Sequence, residues 1–256
     1  MKLHVLGCSG GQLPGYYLSS FLVNDSLLID AGSTTAVLGL KAQQKIKNIL
    51  ITHIHLDHVM ALATMADNLY GKCSTPINVW GLDDVIAGLR ESFFNDKVWP
   101  DFTRIAGDTQ RSPVLRLCRL AEEEPMVIGD YAVTTVRVNH NVPGVAFFIE
   151  NNRRTLLHVG DTGPTERVWS LARDNQKLCA VVLEASFPDR LQDVADASCH
   201  LTPQALAREI DKLGRPSVPI LVTHLKPEYR KEILASLKRL KGNPLRALKD
   251  GDLLRL

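Results

Sequence analysis

Short apolar runs that stop at a polar residue recur along this chain. Leu27-Leu28-Ile29 leads into Asp30-Ala31-Gly32, Ile49-Leu50-Ile51 into Thr52-His53, and Leu156-Leu157-His158-Val159 into Gly160-Asp161. Such runs, closed by Gly, Asp or His, predict buried strands whose ends carry polar groups. Alternation from Ala132 to Val138 predicts a further strand leading to His140, and Ile220 to Thr223 one that ends at His224. Helical spacing marks Asp83 to Glu91, Glu166 to Asn175 and Ala205 to Leu213, the last with Thr202 as N-cap and Pro203 at the first helical position. Mixed strands and helices predict an α/β or α+β class.

The strand endings repeat. Leu28 to Gly32 followed by Ile49 to His53 is echoed by Val159 to Gly163 followed by Ile220 to His224, so two related halves would each offer an Asp and a His. If the halves pack face to face, their strand ends converge on one site. We expect one domain over residues 1–256, with 82–124 as an insertion near that site. The aromatics of this segment, Phe94, Trp99 and Phe102, would roof a pocket and bind substrate, or else pack in the core.

Composition narrows the function. The chain has 256 residues, 45% hydrophobic and 23% charged, which is ordinary for a globular protein. Lys+Arg 30 against Asp+Glu 28 leaves +2, without the basic excess that nucleic-acid wrapping requires, so a small substrate is expected rather than a long polyanion. Apolar runs such as Ala180 to Leu183 are too short to span a bilayer, and no charged-then-apolar leader opens the sequence; a soluble, cytoplasmic protein is expected. The five cysteines include no Cys-x-x-Cys pair and read as reduced thiols.

His53-Ile54-His55-Leu56-Asp57-His58 sets three imidazoles and a carboxylate within six residues, directly after a strand. Imidazole nitrogen and carboxylate oxygen suit zinc, with manganese or iron as alternatives. His53 and His55 would grip one ion while Asp57 and His58 reach a second. Two ions need more donors, and His140 and His224 at strand ends, with Asp161 on a Gly-flanked turn, supply them; Asp161, with two oxygens, would bridge. Glu184, after Val181-Val182-Leu183, would be costly to bury unpaired.

These motifs in this order resemble the metal motifs of the metallo-β-lactamase superfamily over nearly the whole chain. The resemblance implies an α+β fold, a four-layer αββα sandwich built of two related halves, and places Asp30 as a supporting carboxylate behind the ligands. Within the superfamily, His53 to His58, Phe94 to Phe102 and Glu184-Ala185-Ser186-Phe187-Pro188 look most like class II 3′,5′-cyclic-nucleotide phosphodiesterases. His200-Leu201-Thr202 also resembles a His-x-Thr element of phosphodiesterase branches.

The resemblance implies a dinuclear hydrolase that converts cyclic AMP or cyclic GMP to the 5′-nucleotide through a hydroxide held between the metals. Asp57, His200 and Glu184 are the catalytic candidates, with His200 as proton donor to the departing 3′-oxygen and Glu184 next in line. Other readings are an RNA-processing phosphodiesterase, a thioesterase or lactonase with the same metals, and a non-catalytic metal-stabilised binding protein. A homodimer is compatible with all of them.

Overall fold

The computed structural model describes residues 1–106 and 112–256, so most of the polar stretch Gly107 to Ser112 lies outside the described residues. The chain divides into two compact units. One comprises Met1–Gly7, Leu18–Leu120 and Gly251–Arg255; the other comprises Cys8–Tyr17, Ala121–Asp250 and Leu256.

The first unit holds β1 (Lys2–Gly7), β2 (Ser20–Val23), β3 (Leu27–Ile29), β4 (Asn48–Leu50), β5 (Ile77–Gly81), β6 (Leu115–Arg119) and a C-terminal strand, Leu253–Arg255. That strand lies at one edge, followed in order by β1 to β6. The pairings are antiparallel as far as β2–β3 and parallel from β3–β4 onward. Strands β2 and β3 are buried throughout, the signature of a sheet covered on both faces. Because β6 pairs with β5, Leu115–Arg119 of the segment expected as an insertion belongs to the sheet, and Val85, Leu89, Phe94 and Phe102 from its earlier part pack in the apolar cluster of the same unit.

The second unit repeats this plan with β7 (Met126–Ile128), β8 (Tyr131–Arg137), β9 (Val145–Glu150), β10 (Thr155–His158), β11 (Leu178–Glu184), β12 (Ile220–Thr223) and β13 (Leu245–Ala247). They lie side by side in sequence order, antiparallel up to β9–β10 and parallel from β10–β11 onward. The repeat is therefore real, but its register differs from the sequence reading. β10 answers to β3, so Asp161 matches Asp30; β11 answers to β4, so the counterpart of Thr52-His53 is the end of β11 at Glu184. His224 follows β12, one strand further along. Similar Ile/Leu/Val runs made β12 resemble β4, and only the pairing order distinguishes them.

Two of the expected helices are as predicted: Arg167–Asp174, and Pro203–Leu213, whose N-cap Thr202 accepts the Ala205 N–H at 3.2 Å. The third runs Asp83–Gly88 and widens into a π turn over Leu89–Phe93. Each unit has its own apolar cluster, one around Ile46, Ile49, Met65 and Phe94, the other around Trp169, Val181, Leu206 and Ile220. All five cysteines are thiols. Among the described residues no helix is long and apolar enough to cross a membrane.

Candidate functional site

In each unit the polar residues follow the carboxyl ends of strands where the pairing switches from antiparallel to parallel, the position at which open sheets bind ligands.

In the first unit the organising group is Asp30, fully buried and with φ 55°. Its Oδ1 accepts the Thr52 N–H at 2.8 Å, its Oδ2 lies 2.7 Å from His58 Nδ1, and the Thr52 hydroxyl lies 2.9–3.0 Å from both oxygens. A carboxylate can only accept, so His58 carries its proton on Nδ1 and presents a lone pair at Nε2. That Nε2 is 3.7 Å from Asp57 Oδ2. His53 Nε2 and His55 Nδ1 approach to 3.0 Å, and the His53 ring packs 4.1 Å from that of His58. The short helix Leu56–Val59 carries Asp57 and His58. It is locked to the loop after β3 by Ala31 N–H donating to His58 O, and at Gly32 any Cβ would fall 2.1 Å from the Asp57 carbonyl oxygen.

In the second unit the organising group is Glu184, also fully buried. Its Oε1 accepts the Thr162 N–H at 2.9 Å and lies 2.6 Å from His200 Nδ1; its Oε2 accepts the Leu201 N–H at 3.2 Å and the Ser186 hydroxyl at 2.5 Å. With its hydrogen committed to Glu184, Ser186 Oγ accepts from His224 Nδ1 at 2.8 Å, and His224 Nε2 stands 3.2 Å from Asp161 Oδ2. His140 donates Nδ1–H to the Cys199 carbonyl at 3.2 Å. Cys199 itself ends the helix Gln192–Ser198 in the left-handed conformation, which brings its carbonyl and His200 to this place. His224 also has φ 60°, held by its N–H donating to Cys8 O. A Cβ on Gly10 would fall 2.5 Å from the His224 carbonyl oxygen and 2.7 Å from its Nδ1, so only glycine fits there.

Burial alone would lower the His200 pKa; the Glu184 charge and hydrogen bond outweigh it, with Asp161 adding, and the net direction is upward. His200 stacks on His224 with ring centres 5.4 Å apart and meets His140 edge-on at 5.3 Å.

His58, His140 and His224 thus share one arrangement, with Nδ1 anchored to an acceptor and Nε2 as the lone-pair nitrogen. In two of them Nε2 faces a carboxylate. This is the outer-shell pattern of metal-ligating histidines, so the donor sets of both units fit divalent metal ions. The first unit brings together His53, His55, Asp57 and His58 with Asp30; the second brings together His140, Asp161 and His224 with Glu184 and His200.

Sequence reasoning missed Thr52, Ser186 and Gly10. Ser186 had a signal, since a Ser two residues beyond Glu184 at a strand end projects to the same side. Of the aromatics, Phe94 and Phe102 are 1% and 5% exposed within the apolar cluster of the first unit, which is the packing alternative and leaves little ring face for a ligand; Trp99 is half-buried. Glu184 proves to be both paired with backbone and in contact with His200.

Residues 31–244 match the family model of class-II cAMP phosphodiesterases. A probable 3′,5′-cyclic-nucleotide phosphodiesterase of Yersinia pestis is 28% identical over 297 residues, covering 94% of this chain and 83% of that protein. Among solved structures, unliganded yeast PDE1 superposes with a TM-score of 0.84 at 20% identity, covering 100% of this chain and 99% of that one. The metallo-β-lactamase fold protein YhfI of Bacillus subtilis gives 0.77 at 18%, covering 99% of each chain. The fold is the metallo-β-lactamase fold, and the chain belongs to the class-II cAMP phosphodiesterase family.

Proposed function

We propose that this chain hydrolyses 3′,5′-cyclic nucleotides, cyclic AMP or cyclic GMP, to 5′-nucleotides in the cytoplasm, and that it does so with two zinc ions. His53, His55 and His140 would hold one ion, Asp57, His58 and His224 the other, and Asp161 would bridge. When bound, such ions supply an activated water at neutral pH and positive charge for the phosphoryl oxygens. The observation that supports the reading best, within a family of phosphodiesterases, is the shared Nδ1 anchoring of His58, His140 and His224.

The chain's own residues orient and protonate. Asp30 and Ser186 hold His58 and His224 in the tautomer that presents Nε2. Water attack at phosphorus breaks the P–O3′ bond, and O3′ must leave with a proton. Glu184 fixes one His200 proton at Nδ1 and favours the imidazolium, so the second proton stands at Nε2 and passes to O3′.

The test is a panel: the zinc-loaded chain on cyclic AMP, cyclic GMP, a nitrophenyl phosphodiester, an RNA precursor and a thioester. Turnover of a cyclic nucleotide well above the RNA and the thioester supports the reading; preference for either of those two overturns it.

A further inference from the structure

Beside His200 and His224 lies a cleft of about 240 Å³, lined by Gly10, Gly11, Phe187, Lys226, Pro227 and their neighbours, all within the second unit. It is smaller than the roughly 300–1,000 Å³ of a pocket that takes a whole ligand, so it suits one part of a nucleotide. Its chemistry comes from Lys226, half-buried and two residues beyond His224.

A lysine ammonium has three donors and normally extends into water. Here Nζ turns inward, donates to the Gly10 carbonyl at 3.1 Å and sits 5.1 Å from the centre of the Phe187 ring. No carboxylate pairs with it among the described residues. Glu228 lines the same cleft but is exposed and forms no ion pair with Lys226. Two N–H groups of a full positive charge are therefore left for a ligand. Phe187 in turn packs 5.9 Å from His200, and Gly10 abuts His224, so the ammonium is fixed by the same residues that border the site. A carbonyl oxygen and a ring face orient the ammonium without neutralising it, which suits an anion arriving at that edge.

We infer that Lys226 grips a non-bridging phosphoryl oxygen, binding the phosphate of the cyclic nucleotide and, more strongly, the doubly charged phosphate of the 5′-nucleotide product. The inference rests on the phosphodiesterase reading for its substrate, but not for its anion. Lys226 is thereby a substrate-binding residue, and Phe187 and Gly10 are the residues that position it.

The test titrates the zinc-loaded full chain with 5′-AMP and with adenosine, and measures KM for cyclic AMP, for the native protein, Lys226→Met and Lys226→Arg, with metal content and melting temperature recorded for each. Lys226→Met should weaken 5′-AMP binding roughly ten- to a hundredfold, the value of a charge-assisted hydrogen bond. It should raise KM in step and leave adenosine affinity and metal content unchanged; Lys226→Arg should restore most of the loss. Equal affinities of Lys226→Met and native protein for 5′-AMP overturn the inference, as does equal weakening of 5′-AMP and adenosine. If the native protein turns over no cyclic nucleotide, the phosphodiesterase reading falls, while selective loss of 5′-AMP binding in Lys226→Met still upholds the anion grip and its absence still refutes it.

Discussion

Replacing Asp30 by Ala tests whether a buried carboxylate that touches no substrate governs metal retention. The change removes the acceptor of Thr52 N–H and His58 Nδ1–H, at 2.8 and 2.7 Å, in a place with no access for water. Breaking a buried, hydrogen-bonded pair by deleting one partner costs about 3–5 kcal/mol. Domains are stable by only about 5–15 kcal/mol, so the variant should fold but melt lower, by roughly 10 °C at about 2–4 °C per kcal/mol. Loss of the Nδ1 acceptor also frees His58 to take the other tautomer, which should weaken metal binding about 10–100-fold. Asp30→Asn separates the two effects: its amide oxygen can still accept from Thr52, while its N–H₂ opposes His58 Nδ1–H, so metal should be lost with a smaller fall in stability. The assay is thermal unfolding of metal-free and zinc-loaded protein, with zinc affinity from chelator competition and relative rates on cyclic AMP and cyclic GMP. Unaltered melting and unaltered zinc affinity would refute the reasoning, and a changed nucleotide preference would show that Asp30 acts on substrate.

Three further outcomes are expected. His200→Ala should slow cyclic-nucleotide hydrolysis about 10²–10⁴-fold, keep its metal and retain much of its rate on a nitrophenyl phosphodiester, whose leaving group needs no proton; equal losses on both substrates would exclude His200 as donor. Gly10→Ala, whose Cβ would fall 2.5 Å from the His224 carbonyl oxygen, should displace His224 and lower zinc affinity measured by the same competition, and native affinity would refute the tight fit. Trp99→Ala should raise KM for a cyclic nucleotide by the worth of one stacked base, about 1–3 kcal/mol, and leave KM for a small aryl phosphodiester unchanged; equal losses on both would assign Trp99 to packing, as burial already does for Phe94 and Phe102.

The candidate ligands were legible because imidazole and carboxylate are scarce and costly to place after apolar strands. With only 8 His in the chain, the His53 to His58 cluster leaves few other donors for a second ion. Apolar runs likewise foretold β3 and β10, and the Thr202-Pro203 cap foretold the helix that follows it. What stayed hidden depends on contacts distant in sequence. Ser186 bonds a residue 38 positions away, and Gly10 is required by a backbone more than 200 residues on. The repeat register was misread for a related reason: a buried parallel strand is recognisable by composition, whereas its place in the sheet follows from pairing that composition does not encode. The aromatic segment was ambiguous because Phe fills a core and a nucleotide pocket equally well.

Phosphorus NMR of the zinc-loaded protein with 3′,5′-cyclic AMP, with and without a chelator, tests the central claim most directly. The account predicts that the cyclic phosphodiester signal is replaced by that of 5′-AMP alone, at a rate abolished by the chelator and recovered on adding zinc. Persistence of cyclic AMP in protein carrying its full metal complement, or release of 3′-AMP, would contradict it.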